Sequence, residues 1–292
     1  MNGAVVPGAV TPDSPQAAAA WRVGYADSGG ERIYWECSGE GLPIVICHGA
    51  GSGHLSFYQQ VAALASDSIQ IVTWDQRGYC NSTLNSGQIG VGKSAGDLDS
   101  VIRATGLNGT PIHLVGQAMG GLVAASWAAN NPGAVRSLAL WDGPFEISPD
   151  GRRLVWGLAP EDKGVASTQV NRRVGQTRSL TAASLARDRG KAFLYQSLQE
   201  LGAARPSYAA VFAAAKAEPV PLAPLAALDA PVLIGRGEFD HVADPEAYAA
   251  LAAQFVRAET VVIPGCGHAP YFEAPELWNE AMLRHVLAGH RM

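Results

Sequence analysis

The sequence predicts an α/β fold: a mostly parallel eight-stranded sheet flanked by helices, with a helical cap inserted after the sixth strand. Three observations support this prediction. Short apolar runs recur along the chain, segments of helical character separate them, and the alternation stops for about 80 residues before it resumes.

Eight segments are predicted as strands of this sheet. Two early segments, WRVGYADSG and RIYWECSG, are predicted to form an antiparallel start. The other six are continuously apolar, which indicates strands buried on both faces. They are PIVIC (43–47), IQIVTW (69–74), IHLV (112–115), SLALW (137–141), PVLI (231–234) and TVVI (260–263). Helices are predicted between them, for example in SAGDLDSVIRATG and MGGLVAASWAAN, so these strands should be parallel with right-handed crossovers.

The chain of 292 residues is predicted to form one domain with one insertion. Residues 1–20 have neither a basic start nor a sustained apolar stretch, so a disordered leader is predicted rather than a signal peptide. The core is assigned to residues 21–145 and 222–292. Residues 146–221 are rich in Ala, Arg and Leu without a convincing strand, and they are assigned to the helical cap.

Charge and residue spacing limit the expected partners and cofactors. A net charge of −5 with 21 Lys and Arg residues gives no broad electrostatic footprint for nucleic acid. No run is long enough to span a bilayer, and the histidines lack metal-ligand spacing, so no membrane, metal or organic cofactor is expected. The cysteines lack C-x-x-C spacing, which indicates a reducing, cytoplasmic environment: Cys37, Cys47, Cys80 and Cys266. The sequence predicts no oligomeric state.

The strongest motif is IHLVGQAMGG, a strand that runs directly into Gly116-Gln117-Ala118-Met119-Gly120-Gly121 and then into a helix. It matches the nucleophile elbow G-x-S-x-G, except that Ala118 occupies the nucleophile position. In such an elbow a strained turn lifts the central side chain above the sheet, while glycines allow the strand and helix to approach closely. Strain of this kind usually persists for a function.

A candidate acid and base follow two later strands. Asp240 follows PVLIGRG and His268 follows TVVI, which gives the chain order nucleophile position, acid, base. The carboxyl ends of neighbouring parallel strands meet at one edge of a sheet, so these residues should lie together. Asp142, directly after SLALW, is the alternative acid because its strand also ends beside the elbow.

A candidate oxyanion hole comes from two places in the chain. The segment His48-Gly49-Ala50-Gly51 follows the strand PIVIC, and Met119 follows the nucleophile position. The backbone N–H groups of Ala50 and Met119 are the predicted donors, which would stabilise negative charge formed in a transition state.

These motifs together resemble the α/β-hydrolase superfamily from about Trp21 onward: HGAG (48–51), WDQRG (74–78), GQAMGG (116–121), GEFD (237–240) and GCGH (265–268). The resemblance implies a serine hydrolase with a helical cap and no cofactor, acting on a small-molecule ester or lactone. Carbon–carbon bond hydrolases with such a cap are an alternative. Proline iminopeptidases share the DQRG turn, but their HGGPG loop is absent, which weakens a peptidase assignment.

We interpret Ala118 as an inactive serine-to-alanine form of such a hydrolase, because the elbow glycines, the acid and the base all remain. The alternatives are a native pseudoenzyme, a ligand-binding receptor, or a cofactor-free catalyst in which His268 and Asp240 only abstract a proton.

Two further features suggest other chemistry. Residues 87–94, GQIGVGKS, match the phosphate-loop pattern of NTP-binding proteins, but no strand feeds the loop, so Ser94 is predicted to be a helix N-cap with Asp97 three residues on. Cys266 lies two residues before His268 and is an alternative nucleophile. It lacks an elbow, so a packed thiol is expected.

Substrate contacts are expected from the sheet edge and from the cap. Gly49, Trp141, Phe145, Trp156 and Val242 are predicted to line the pocket. Phe193 and Tyr195 are predicted either to face it or to pack on the core. The cap arginines predict either a solvated face or selection of an anionic substrate: Arg152, Arg153, Arg172, Arg173, Arg178, Arg187, Arg189 and Arg205.

Overall fold

A computed structural model describes residues 21–157, 179–201 and 205–290, and an eight-stranded sheet runs through this part of the chain. The leader predicted at 1–20 lies outside the described residues. In chain order the strands are β1 Trp21–Ser28, β2 Glu31–Ser38, β3 Leu42–Cys47, β4 Ile69–Trp74, β5 Ile112–Gln117, β6 Val135–Trp141, β7 Phe145–Ile147, β8 Arg153–Trp156, β9 Val220–Pro221, β10 Val232–Gly237 and β11 Ala258–Ile263.

The large sheet has the strand order β1-β2-β4-β3-β5-β6-β10-β11. Strand β2 pairs antiparallel with both β1 and β4, and the remaining pairs are parallel. The prediction of a mostly parallel eight-stranded sheet is therefore confirmed. Its parallel strands end at the same edge, where the elbow, the candidate acid and the candidate base follow β5, β10 and β11.

Helices cover both faces of the sheet. They are α1 Tyr58–Leu64, α2 Val91–Ala104, α3 Met119–Asn130, α4 Ala182–Arg187, α5 Arg189–Glu200, α6 Tyr208–Ala217, α7 Leu222–Ala226, α8 Pro245–Ala252, α9 Pro270–Glu273 and α10 Pro275–His290. None of these helices, in the described residues, has the length and apolar character needed to cross a membrane.

Two apolar cores lie on opposite faces of the sheet. Neighbouring residues of one strand enter different cores, as Leu114 and Val115 of β5 do, because successive side chains of a strand point to opposite faces. One core contains Leu98 of α2 together with residues of α3. The other contains Trp278 of α10. This double burial explains why the strand sequences are continuously apolar.

The cap contains strands as well as helices, which corrects the prediction of a purely helical insertion. Strands β7 and β8 form an antiparallel hairpin, and β9 pairs with β8. The turn between β7 and β8 contains Ser148-Pro149-Asp150-Gly151, and Gly151 has a φ of 72°. A Pro-Asp-Gly turn between two apolar segments is a hairpin signal, and the sequence analysis missed it. The boundaries 146–221 stay a prediction.

Helix α2 begins earlier than predicted. Its N-cap is Gly90, so Ser94 lies inside the helix and the N-cap prediction for Ser94 is wrong. The Glu218 carboxylate accepts a hydrogen bond from the Gly92 N–H at 2.7 Å. Asp97 is buried in a two-bond ion pair with Arg77, at 2.6 and 2.7 Å, rather than serving in a capping box.

Candidate active site

The elbow has the strained geometry that its motif predicts. Strand β5 ends at Gln117 and helix α3 begins at Met119, and between them Ala118 has a φ of 49° and a ψ of −121°. An alanine rarely adopts such angles, because its Cβ crowds the backbone; the cost is about 1–3 kcal/mol. A Cβ on Gly116 would lie 2.5 Å from the Gly120 carbonyl oxygen, and one on Gly120 would lie 2.2 Å from the Cys47 carbonyl oxygen. Both glycines are therefore required sterically.

We expect Gly120→Ala to lower the free energy of unfolding by about 3 kcal/mol, because the added methyl group meets backbone atoms that cannot rotate away. Urea denaturation followed by circular dichroism measures this change. The matched control is Gly96→Ala in helix α2, where an added Cβ meets nothing within 4 Å. That control should be neutral or stabilising by up to about 1 kcal/mol, and equal losses in both variants would contradict the prediction.

The structure brings the predicted acid and base together. The His268 Nδ1 lies 3.1 Å from each carboxylate oxygen of Asp240, and the Val242 N–H donates to Asp240 Oδ1 at 2.9 Å. Burial alone would raise the pKa of Asp240, but His268 and the Val242 N–H outweigh it and hold that pKa below its usual value. The Asp240 carboxylate thus holds the His268 ring by Nδ1 and leaves Nε2 outside this contact.

Asp142, the alternative acid, lies behind this pair. It is fully buried, has a φ of 52°, and its Oδ1 accepts a hydrogen bond from the Gly237 N–H at 2.9 Å. Burial and the neighbouring charge of Asp240 raise the pKa of Asp142 well above its usual value. Burial therefore disfavours a charge on Asp142, and Asp240 is the carboxylate that lies against His268.

The candidate oxyanion donors have no competing partner within the described parts of the chain. No acceptor there receives a hydrogen bond from the backbone N–H of Ala50 or of Met119. The loop that carries Ala50 is fixed by His48, whose Nε2 accepts from the Gln76 N–H at 2.9 Å. The Gln76 side chain donates in return to the His48 carbonyl at 2.6 Å, so the loop that carries the Ala50 donor is held by two hydrogen bonds.

A second histidine fixes this loop, and the sequence analysis missed it. His54 is buried and bonds the Asp75 carboxylate twice, through its backbone N–H and through Nδ1, each at 2.8 Å. Its Nε2 lies 3.3 Å from Glu36. Burial alone would lower the pKa of His54, but the bonds to Asp75 and Glu36 outweigh it and raise that pKa to about 9.

We expect His54 to contribute to stability in a pH-dependent way. A histidine in the unfolded chain has a pKa of about 6.5, so the contribution of His54 is complete below that pH. It is lost as the pH rises through the folded value of about 9. The variant His54→Gln should therefore be destabilised by roughly 2 kcal/mol at pH 6, and the deficit should shrink by pH 9.5. Urea denaturation across this range measures it, and exposed His290→Gln is the control. A deficit that does not vary with pH would contradict the role of charge.

A cavity of about 120 Å³ lies beside the elbow, and Ala50 of the candidate oxyanion loop lines it, whereas Met119 and Asp240 are not among its lining residues. Ala118 and His268 both line it, together with the predicted pocket residues Gly49, Trp156 and Val242. Other aromatic and polar side chains of the wall come from the cap and from helix α9: Tyr195, Gln199, Tyr208, Phe212 and Tyr271. Ala118 and the candidate base His268 therefore face the same cavity.

Two pocket predictions are wrong. Trp141 is fully buried and packs against Trp278, with ring centroids 5.4 Å apart, and Phe145 is fully buried and stacks on Tyr248. Trp141 ends β6 and Phe145 begins β7 four residues later, a position in the chain that suggested a place at the sheet edge. Their side chains instead fill the spaces beside glycines, since a Cβ on Gly235 would lie 2.4 Å from the Trp141 ring.

The described residues that line the cavity are mostly aromatic, small or amide-bearing. No lysine, arginine, aspartate or glutamate of the described residues lines it. Arg152, Arg153, Arg187 and Arg189 are exposed, and Arg205 lies over the Tyr208 ring, while Arg172, Arg173 and Arg178 lie outside the described residues. Phe193 is exposed, and Tyr195 lines the cavity. The described arginines therefore contribute no cationic group to the wall of this cavity.

The remaining alternatives from the sequence find no support in the described contacts. Cys266 is buried, and burial together with the Glu273 and Asp142 carboxylates raises the pKa of its thiol to about 12. A protonated thiol is a poor nucleophile. The start of α2 within residues 87–94 already binds the Glu218 carboxylate, in the place where a phosphate loop would bind phosphate.

Fold and site together define a class of protein. An elbow after the middle strand β5, an acid after β10 and a base after β11 are the arrangement of an α/β hydrolase. A sequence profile of the alpha/beta hydrolase fold matches residues 43–275, and the chain belongs to this family.

Individual proteins match parts of the sequence or the whole fold. The chain is 32% identical over 119 residues, 41% of its length, to the RutD protein of Azorhizobium caulinodans, which is named as a carbamate hydrolase. It is 36% identical over 118 residues, 39% of its length, to RutD of Klebsiella pneumoniae. The chain spans 44% and 42% of these two relatives, less than half of their length.

The fold is shared with solved hydrolase structures. A thermophilic esterase from Thermogutta terrifontis has a TM-score of 0.74 at 24% identity, covering 92% of this chain and 99% of the esterase. The enol-lactonase of Burkholderia xenovorans has a TM-score of 0.72 at 20% identity, covering 90% and 99%. At this identity the similarity establishes the fold.

Proposed function

We propose that the cavity binds a small uncharged ester or lactone, and that the chain hydrolyses it through an acyl-enzyme when serine occupies position 118. One observation carries the proposal: the strained elbow residue Ala118, the Ala50 loop and His268, which is bonded to Asp240, line one cavity. Met119, the other predicted donor, directly follows Ala118 in the chain. Ala118 lacks the oxygen that would attack, so the Ala118 chain holds the same ligands with little turnover.

The proposed chemistry uses His268 twice. A serine hydroxyl at position 118 would attack the carbonyl carbon while its proton passes to His268 Nε2. The N–H groups of Ala50 and Met119 would stabilise the oxyanion that forms. As the bond to the alcohol oxygen breaks, His268 returns the proton to that oxygen. Water, deprotonated by His268, then releases the acid from the acyl-enzyme.

The uncharged cavity wall and the relatives support this class of substrate. Esters, lactones and carbamates share a carbonyl carbon bonded to a heteroatom, and these are the groups named for the similar esterase, lactonase and RutD proteins. The described arginines lie outside the cavity wall, which favours uncharged over anionic substrates. Carbon–carbon bond hydrolysis would use the same arrangement and belongs in the same assay panel.

The test is to install serine at position 118 and to assay uncharged esters, lactones, carbamates and diketones. Turnover of at least one ester or lactone supports the proposal, and a folded but inert variant contradicts it.

A second candidate treats Ala118 as native. The elbow keeps its strained φ of 49° and the His268–Asp240 pair stays intact without a nucleophile, which is compatible with cofactor-free proton abstraction by His268. Hydrogen–deuterium exchange at an acidic C–H of a bound ketone or diketone would distinguish it. Exchange by the Ala118 chain that His268→Ala abolishes would support this candidate.

A further inference from the structure

Glu273 is a buried carboxylate beside the site that the proposed mechanism does not use. It ends helix α9, five residues after His268, and only 4% of its side chain surface is exposed. Its Oε1 accepts a hydrogen bond from the Gly267 N–H at 2.6 Å. Its Oε2 accepts both the N–H and the hydroxyl of Thr181, each at 2.8 Å. Three donors thus compensate the desolvation of this carboxylate.

The two oxygens of this carboxylate bond to different parts of the molecule. Gly267 immediately precedes His268 in the loop after β11. Thr181 is the N-cap of cap helix α4, and Ser179, two residues earlier, lines the cavity. Glu273 therefore bonds the base-bearing loop with one oxygen and the cap wall with the other.

The packing around this bridge leaves little freedom. A Cβ on Gly267 would lie 3.0 Å from the Ser179 carbonyl oxygen and 3.2 Å from Glu273 Oε1. On the opposite side of the loop, the Gln117 side chain donates to the His268 carbonyl at 3.1 Å. The backbone of residues 267 and 268 is thus hydrogen-bonded both to Gln117 at the end of β5 and to Glu273.

We propose that Glu273 is a positioning residue that couples the cap wall at residues 179–181 to the orientation of His268. The proposal deepens the proposed function and rests on it only where activity is the readout. A substrate that contacts the cap wall would bias the position of His268 through this carboxylate, because Glu273 bonds Thr181 and Gly267 at the same time.

The test compares Glu273→Gln and Glu273→Asp with the parent. A glutamine side chain has one carbonyl oxygen, so it can accept from only one of the two N–H groups, whichever way it turns. Aspartate keeps the charge but is one methylene shorter, so it cannot span both. In an Ala118→Ser background we expect kcat to fall roughly 10-fold or more in both variants, with a smaller change in KM, because a displaced base slows the chemical step. The matched control is Glu280→Gln, an exposed residue of α10.

A second readout needs no activity. In the Ala118 chain, the imidazole NMR signals of His268 should shift in Glu273→Gln and stay unchanged in Glu280→Gln. Both measurements are made below the onset of thermal unfolding of each variant. Unshifted His268 signals, or a kcat within twofold of the parent in folded protein, would overturn the proposal. If the Ala118→Ser chain is inactive, the proposed function fails, while the NMR comparison still decides this inference.

Discussion

Ala118→Ser is expected to raise the rate of ester hydrolysis by roughly 10⁴-fold or more over the Ala118 chain, because loss of the nucleophile costs a serine hydrolase about 10⁶ in kcat. The serine side chain would enter the elbow at the φ of 49° that residue 118 already adopts, next to the cavity that His268 lines. No other part of the site has to be rebuilt. Steady-state kinetics on uncharged aryl esters and small lactones measures the gain.

Two controls separate this chemistry from nonspecific hydrolysis. Adding His268→Ala to the serine variant should return the rate close to that of the Ala118 chain, because the hydroxyl then lacks its base. A fluorophosphonate should phosphonylate the serine variant only, with loss of HF, and intact-protein mass spectrometry should detect the added phosphonyl group. A folded serine variant that neither reacts with this probe nor turns over any substrate would favour the proton-abstraction candidate.

The second large effect is expected at the acid. In the Ala118→Ser background, Asp240→Asn should lower kcat by roughly 10⁴-fold, because an amide no longer selects the tautomer of His268 or stabilises its cation. Asp142→Asn should leave kcat within about threefold. Burial already disfavours a charge on Asp142, and an asparagine oxygen can still accept the hydrogen bond from the Gly237 N–H.

Comparing the two variants shows which carboxyl group orients and stabilises His268 during catalysis. Kinetics at neutral pH, with thermal unfolding to confirm that each variant is folded, is sufficient. Comparable losses in the two variants, or the greater loss at Asp142, would show that the 3.1 Å contact between Asp240 and His268 is not the catalytic one.

The fold could be predicted because its signals are local. Continuous apolar runs such as IHLV mark strands covered on both faces, and Leu114 and Val115 enter opposite cores as that pattern requires. The elbow, Asp240 and His268 could also be placed, since each directly follows a recognisable parallel strand and all those strands end at one edge. The hairpin of the cap also has a local signal, its Pro-Asp-Gly turn, but the sequence-based prediction of a helical cap did not use it.

By itself the sequence determined the order of the strands along the chain, the absence of a hydroxyl at residue 118 and the elements that carry the acid and the base. Only the tertiary structure decided that Trp141 and Phe145 pack away from the cavity and that the described cap arginines lie outside its wall. It also revealed His54 and Glu273, whose partners Asp75 and Thr181 are 21 and 92 residues distant in the chain. The physical reason is that local periodicity specifies which face of an element is buried, whereas side-chain partners across a fold depend on packing between elements that no local pattern records.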